Sequence, residues 1–320
     1  MGAEIEPDYI LHAAMELPPD YFSNALIRFF ATPELCTRFE KQYCDEVQSH
    51  SFSFCPAPDV ILMDDEPLAA VKKKKHSSLV LGIQELKKGL DGFVSCANTG
   101  ALVAASVLNL KPIDGIDRPA LATVISLCEK RTLFLDVGAL PEPSVQQLLQ
   151  FAHLGAAFAL TAFQKREVTV GLLNIGSECG KGTAQRKLLY RELQAVSSQK
   201  NAPFSFVGNI EPGLLFEGAV DVAVSDGFTG NIVLKTAEAV AARMSCAIEE
   251  DFEARGKRPD EYFGFSELRA RFSQDMGTGA VLLGLKGYVA KCHGKASILA
   301  IQQALIAAKR HKTRVLDKRP

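Results

Sequence analysis

Residues 168–196 read VTVGLLNIGSECGKGTAQRKLLYRELQAV. An apolar, β-branched run ends in a glycine-rich loop, and the loop opens a segment with helical spacing. That is the pattern of one strand and one helix of a parallel sheet. The same transition from apolar run to polar loop recurs downstream in FSFVGNI (204–210) and VDVAVSDG (220–227). Upstream, GFVS (92–95) runs into CANTGALVAASVLNL, a small-residue turn followed by a helix. LATVI (121–125) and TLFLDVG (132–138) are two further strands, and SVQQLLQFAHLGAAFALTAF (144–163) is a long helix. Alternation of this kind predicts an α/β sandwich containing a largely parallel sheet. Ligands of such sheets bind beyond the C-terminal strand ends.

The flanks are less regular. Residues 1–55 read as mainly helical, with Leu26, Phe29 and Phe30 at uneven helical intervals and Pro18, Pro19 and Pro33 as breaks. VILMDDEP (60–67) reads as a short strand ending at Asp64 and Asp65. AAVKKKKHSSLVLGIQELKKG reads as a basic loop or helix start leading into an amphipathic helix. VLLGLKGYVAKCHGKAS (281–297) supplies a late strand and loop before a final helix, and the basic tail frays. The chain is expected to form a single domain over 1–320. With 36 Lys plus Arg against 37 Asp plus Glu, it is not a broad nucleic-acid binder. Eight scattered cysteines without a CxxC pair fit a reducing cytoplasm better than a disulfide framework. The acidic opening MGAEIEP is unlike a secretory signal, and no apolar run reaches the roughly 18 residues of a membrane span.

Several loops could carry chemistry, and each also has a bland reading. In CANTGAL, Asn98, Thr99 and Gly100 stand at a helix start whose amides could receive an anion, or Asn98 or Thr99 is simply a cap. In GSECGKGT, Gly180 and Lys181 could admit and neutralise phosphate, or Lys181 faces solvent. Gly182 stands where a P-loop needs Ser or Thr, which argues against ATP hydrolysis. In SDGFTGNIVLK, Asp226 opens a turn, Gly230 and Asn231 lie near the helix start, and Lys235 follows one turn later. Asn231 and Lys235 could meet a phosphate there, with Asp226 orienting a donor, since direct contact between two anions is repulsive; structural capping is the alternative. The inward face of this helix is expected to follow Val233, Ala237, Val240, Met244 and Ile248. Asn209 and Glu211 follow another strand. Lys291 and His293 border a glycine turn, where the histidine is an acid/base or an ordinary structural residue. Lys72 to His76 is a solvated face or an attractor of phosphate or an acidic partner. GxSxG, GxGxxG and HExxH are absent, and six histidines form no compact ligand set with cysteine, so a metal site is not expected.

Taken together, KKKKHSS, CANTGAL, GIDRPAL, LFLDVGA, LLNIGSECGKG, FVGNIE, DVAVSDGFTGNIVLKTAE and LLGLKGYVAKCHG resemble the bacterial acyl carrier protein:phosphate acyltransferases of phospholipid synthesis, from about Val60 to Ile306. The resemblance implies transfer of a fatty acyl group from acyl carrier protein to inorganic phosphate. The acyl phosphate then serves a membrane glycerol-3-phosphate acyltransferase. It further implies a Rossmann-like three-layer α/β/α sandwich with a mostly parallel central sheet, related to the isocitrate dehydrogenase and phosphate acetyltransferase folds, a homodimer, and a cytoplasmic location with peripheral contact at the inner face of the cell membrane. No metal, nicotinamide or other cofactor is implied. On this reading Asn98, Lys181, Asn209, Asn231 and Lys235 contact phosphate or carbonyl oxygen, His293 transfers a proton or binds phosphate, and Asp226 holds the donors.

The chain departs from the family pattern at its start. The family opens with a strand and an Asp-x-Met-Gly-Gly-Asp loop. Here Met1 and Gly2 match the middle of that loop, Ala3 replaces the next glycine and Glu4 the last aspartate, and the usual first strand and first Asp are lacking; either the start is later than the native one, the favoured reading, or the sheet is reduced and the site altered. Ala97, Ser177 and Cys179 also differ from the family. Residues 240–270, with Met244, Ile248, Phe252, Tyr262, Phe263 and Phe265, are expected to form amphipathic helices that face a bilayer or a second subunit, with core packing as the plainer reading. Two other functions compete: a short-chain enzyme acting on coenzyme A thioesters, and a noncatalytic scaffold that binds acyl carrier protein or lipid.

Overall fold

The computed structural model describes residues 2, 4–18, 21, 25–45, 52–126, 130–256, 279–294 and 296–316. In chain order the elements are α1 (Pro7–Met15), β1 (Ile27–Ala31), α2 (Pro33–Gln42), β2 (Phe52–Pro56), α3 (Pro67–Lys73), α4 (Ser78–Lys88), β3 (Gly92–Ser95), α5 (Thr99–Asn109), β4 (Ala120–Ile125), β5 (Thr132–Leu135), α6 (Val145–Ala162), β6 (Thr169–Leu173), α7 (Ala184–Ser197), β7 (Ser205–Ile210), α8 (Pro212–Phe216), β8 (Val222–Val224), α9 (Gly227–Ala254), β9 (Ala280–Leu283), β10 (Tyr288–Lys291) and α10 (Ile298–Leu316). They group into two compact units, Met1–Ile113 with Thr278–Pro320, and Asp114–Gly277.

In the first unit β1 and β2 pair in parallel, Ile27 opposite Phe52 and Ala31 opposite Pro56. This corrects the expectation of a mainly helical start: Phe29 and Phe30 lie on a strand, and FSFCP is its partner. A short apolar run is ambiguous between strand and helix until a partner is known. Phe29, Phe39 and Phe52 are buried with Leu11 and Ile27, and the Phe39 and Phe54 rings lie 5.6 Å apart. Burying each such phenyl ring stabilises the fold by roughly 1.5–3 kcal/mol. VILMDDEP is not a strand either. Ile61 is buried, but residues 63–65 turn, with Asp65 accepting from the Leu62 N–H at 2.7 Å. β3 pairs in parallel with β10, and β10 runs antiparallel to β9. Among the described residues β1 and β3 each have one strand partner, and a cavity of about 470 Å³ lies along both, lined by Ile27, Phe29, Phe93, Val94, Ile301 and Leu305.

The second unit has the strand order β4-β5-β8-β6-β7. β4 and β5 form an antiparallel pair, Ala122 opposite Leu135, while β5, β8, β6 and β7 are all parallel. TLFL and VAV are buried at every position, as expected of parallel strands covered on both faces. α6 is fixed at its start by a capping box between Ser144 and Gln147. It packs so close to the sheet that a Cβ on Gly155 would lie 2.6 Å from Val222 Cγ1. The chain is therefore a mixed α/β fold whose helices flank central, mainly parallel sheet. Because four neighbouring strands run the same way, the loops after β5, β8, β6 and β7 emerge along one sheet edge.

α9 corrects a third expectation. The row proposed as its inward face is not buried in this chain: Val240, Met244 and Ile248 are exposed, and the helix's buried residues are Gly227 and Gly230. Tyr262, Phe263 and Phe265 lie outside the described residues.

Candidate functional site

The polar residues at the β6 and β7 exits of the second unit are bonded to one another. Asn174 follows β6 and Asn209 lies near the end of β7, both buried. Asn174 Nδ2 donates to Asn209 Oδ1 at 3.1 Å and to the Lys181 carbonyl at 3.2 Å, while Asn209 Nδ2 donates to the Glu178 carbonyl at 2.8 Å. These side chains thus satisfy backbone carbonyls of the glycine-rich loop and fold it back over the strand ends. Gly182 has φ +84°, and a Cβ there would stand 2.6 Å from Asn174 Oδ1. At Gly180, by contrast, a Cβ would meet nothing within 4 Å, so the structure gives no steric reason for that glycine. The Lys181 side chain is about half exposed, its Nζ 3.8 Å from Glu178 Oε1.

At the β8 exit, Asp226 is the N-cap of α9. Its Oδ1 accepts from the Thr229 N–H at 2.7 Å, and its Oδ2 accepts from the Thr229 hydroxyl at 2.9 Å. Oδ2 also accepts from Arg186 Nη2. Burial pulls the Arg186 guanidinium below its ordinary pKa, and the charge of Asp226 opposes that shift. The first turn of α9 presents Asn231, which is exposed, and the Asn231 Cγ lies 3.8 Å from the place a Cβ on Gly138 would take. Lys235 follows one turn on and pairs with Glu238 at 3.0 Å.

The β5 exit supplies a residue that sequence reasoning placed at the end of TLFLDVG but gave no role. Asp136 is fully buried and accepts from the backbone N–H groups of Leu121 (2.9 Å), Gly138 (3.1 Å), Ala139 (2.9 Å) and Leu140 (2.7 Å). Burial pushes its carboxyl above the ordinary range, against the pull of those four donors. The loop it shapes receives the start of α9: Gly227 N–H donates to the Leu140 carbonyl at 3.0 Å. A Cβ on Gly230 would overlap the Asp136 carbonyl oxygen and lie 3.0 Å from its carbon. The signal was an aspartate at a strand exit followed by Val-Gly.

In the first unit Asn98 caps α5. Its Oδ1 accepts from the Ala101 N–H at 3.0 Å and its Nδ2 donates to the Met63 carbonyl at 2.8 Å. The side chain therefore ties the β3 exit to the turn before α3. Thr99 and Gly100 open the helix, and Gly100 is matched to a close neighbour, since a Cβ there would be 2.7 Å from Pro67 Cγ. Lys291 is buried at the end of β10 and donates to the Cys292 carbonyl; His293 follows on the next turn. The free thiols of Cys292 and Cys96 share a hydrogen bond, which holds the Cys96 thiol low and, with burial, pushes the Cys292 thiol up. Lys72, Lys73, Lys75 and His76 are exposed, while Lys74 pairs with Asp65.

Asp226, Gly230, Asn231 and Lys235 are thus placed on one helix start, beside the loop that bears Lys181 and is held by Asn209 from the end of β7. Asn98, Thr99, Gly100 and His293 belong to the other unit. Asn174, Asp136 and Arg186 are the residues that sequence reading left without a role. Among the described residues no group of three or more His, Cys, Asp or Glu gathers as a metal site, and no helix is long and apolar enough to cross a membrane.

A family model described as "Fatty acid synthesis protein" matches residues 1–318. The phosphate acyltransferase of Staphylococcus epidermidis is 35% identical over 326 residues, covering 99% of this chain and 96% of its own. That of Bordetella petrii is 40% identical over 276 residues, covering 84% of this chain and 76% of its own. Among solved structures, a phosphotransacetylase from Streptococcus pyogenes superposes with TM-score 0.54 at 15% identity, over 97% of this chain and all of that one, a likeness of fold alone. With a family match over nearly its whole length and relatives well above 30% identity, this chain belongs to the phosphate acyltransferase family.

Proposed function

We propose that the protein transfers a fatty acyl group from the thioester of acyl carrier protein to inorganic phosphate. In the reaction a phosphate oxygen attacks the thioester carbonyl, the carbon–sulfur bond breaks, and the phosphate's proton passes to the departing thiolate. The products are acyl phosphate and free thiol. The observation that carries this reading is the pairing of two anion-suited loops in the second unit. One is the Asn174–Asn209 anchored loop bearing Lys181, and the other is the capped start of α9. The positive end of the helix dipole suits a phosphate near this turn, although the Gly227 and Thr229 N–H groups are themselves bonded to the Leu140 carbonyl and to Asp226. Asn231 and Lys235 add an amide and a cation there, and Lys181 a second cation. His293 is assigned proton transfer or phosphate binding, and Asn98, Thr99 and Gly100 substrate contacts, as the resemblance implies. Asn209 acts by holding its loop, and Asp226 by capping its helix.

Partners and location follow the same reading. Exposed Lys72, Lys73 and Lys75 suit an acidic carrier protein. The exposed apolar residues of α9 suit a second subunit or the inner face of the cell membrane, where a glycerol-3-phosphate acyltransferase would take the product. Kinship with the isocitrate dehydrogenase fold, in three α/β/α layers, is part of the proposal. The test is mass spectrometry of full-length protein with phosphate and carrier-protein thioesters of several chain lengths. Acyl phosphate is expected from these. Turnover confined to acetyl- or butyryl-coenzyme A would favour the short-chain reading, and binding without phosphate-dependent thioester cleavage would favour a scaffold.

A further inference from the structure

Arg186 is the third residue of α7, and no motif draws attention to it. Its backbone N–H donates to the capping Thr183 hydroxyl at 3.3 Å, and a Cβ on Gly182 would lie 3.0 Å from its own Cβ. The stem therefore packs in the corner of the glycine-rich loop. Its head reaches 40 residues along the chain to Asp226. The ion pair is largely buried, with side-chain exposures of 9% and 18%. Nη1 is buried and makes no hydrogen bond.

A buried arginine with an idle donor is costly to keep, so its place calls for an explanation beyond packing. The place is the cap of α9. A carboxylate is a good cap because it accepts from the first-turn N–H and hydroxyl groups. The same negative charge, left alone, would repel a phosphate near that helix start. A guanidinium bonded to the carboxylate cancels that charge and leaves its capping oxygens in use.

We propose that Arg186 is a positioning residue for phosphate: by neutralising and orienting Asp226, it makes the start of α9 hospitable to an anion while keeping the helix capped. The inference rests on the reading that phosphate binds at this helix start. Arg186 acts through Asp226 and the turn from Thr229 to Asn231, and it links the glycine-rich loop to that turn.

The test uses the full chain carrying Arg186→Met, Arg186→Lys, Asp226→Asn or the double change Arg186→Met with Asp226→Asn. Phosphate KM and kcat are measured at saturating carrier-protein thioester, phosphate binding without thioester by calorimetry, and Tm in parallel. Arg186→Met, which leaves Asp226 uncompensated, is expected to raise phosphate KM and weaken phosphate binding about tenfold or more, with a smaller change in kcat. Adding Asp226→Asn removes the lone charge and is expected to recover most of that loss, although it also removes a cap acceptor. Arg186→Lys, keeping the charge, is expected to stay within about threefold of the parent KM. A merely structural Arg186 would lower Tm, leave phosphate KM unchanged, and give no recovery in the double variant, and that pattern overturns the proposal. If Arg186→Met does not fold, the double variant and Arg186→Lys decide: a tenfold KM increase in both refutes charge compensation, and near-parent values uphold it. Parent protein that makes no acyl phosphate and binds no phosphate refutes the function proposed above. Active parent with Arg186→Met unchanged refutes this inference alone.

Discussion

Replacing Gly230 with alanine adds one methyl group to the first turn of α9, and on propensity alone the change should help. Alanine in a helix is favoured over glycine by about 1 kcal/mol. The surroundings reverse the sign. The new Cβ would overlap the Asp136 carbonyl oxygen, with the Asp136 carbon at 3.0 Å and Val137 Cα at 3.2 Å, and all three are backbone atoms that cannot rotate away. Restoring ordinary carbon–carbon contact at about 3.5–4.0 Å needs a shift of 0.5 Å or more, and the oxygen asks for further movement. Overpacking of this kind costs about 1–3 kcal/mol, so net destabilisation of up to about 2 kcal/mol is expected. The larger effect falls on activity. The helix start is pushed from the β5 exit by roughly 1 Å, a displacement that can cost about 10²-fold in rate. The assay is acyl-phosphate formation over a phosphate series, with Tm in parallel, and Gly213→Ala as the control, since a Cβ on Gly213 meets nothing within 4 Å. A folded Gly230→Ala protein with parent kinetics would refute the claim that this turn is held in register for phosphate.

Other outcomes follow from the same contacts. Lys181→Met and Lys235→Met should each raise phosphate KM with a smaller effect on acyl-thioester KM; saturation curves unchanged in both would remove the two lysines from the site. Asn209→Leu leaves the Glu178 carbonyl and Asn174 without their partner, so a loss of about 1–3 kcal/mol in urea unfolding and weaker phosphate use are expected. Burial pushes the Asp221 carboxyl up, but its bonds from Thr169 and Lys165 together outweigh burial and leave it below the ordinary range. The stability it contributes is therefore present above the unfolded carboxylate pKa and is lost as pH falls through the lower folded value. Asp136 has the opposite sign. Its raised folded pKa means the native state holds a proton that the unfolded chain has released, so stability falls as pH rises from the unfolded value through the folded one. Urea titrations of Asp221→Asn and Asp136→Asn across the acid range should each lose the corresponding slope.

Much of the second unit was legible because parallel strands covered on both faces are written as continuous apolar runs. TVGLL and VAV are of this type, SFVGNI is an end strand with Ser205 and Val207 exposed, and each is followed by its polar loop. TLFL and LATVI were also readable as strands, although their antiparallel pairing was not. The first unit was harder. IRFFA and FSFCP are strands chiefly because each supplies the other's ladder, a fact with no local signature. VILM resembles a strand in composition, but Leu62 and Met63 are exposed beside a turn tied by Asp65. At the site, residues that offer a charge or amide at a loop were readable. Residues whose task is to hold another were not, because their partners are distant: Asn174 meets Asn209 across 35 positions, and Arg186 meets Asp226 across 40. Asn98 and Asn209 were readable as polar loop residues, but only contacts revealed that their amides are spent on backbone carbonyls.

The unequal anchoring of α9 has a dynamic consequence. Gly227 and Gly230 lock one end against the loop that Asp136 organises, whereas the following turns stand largely in solvent. Local unfolding of this helix therefore begins at Ala254 and works inward, and amide exchange should fade in steps toward Asp226. The last turn to melt is the one that would hold the anion, so the distal turns can loosen, or be grasped by a neighbour, while the reactive end keeps its shape.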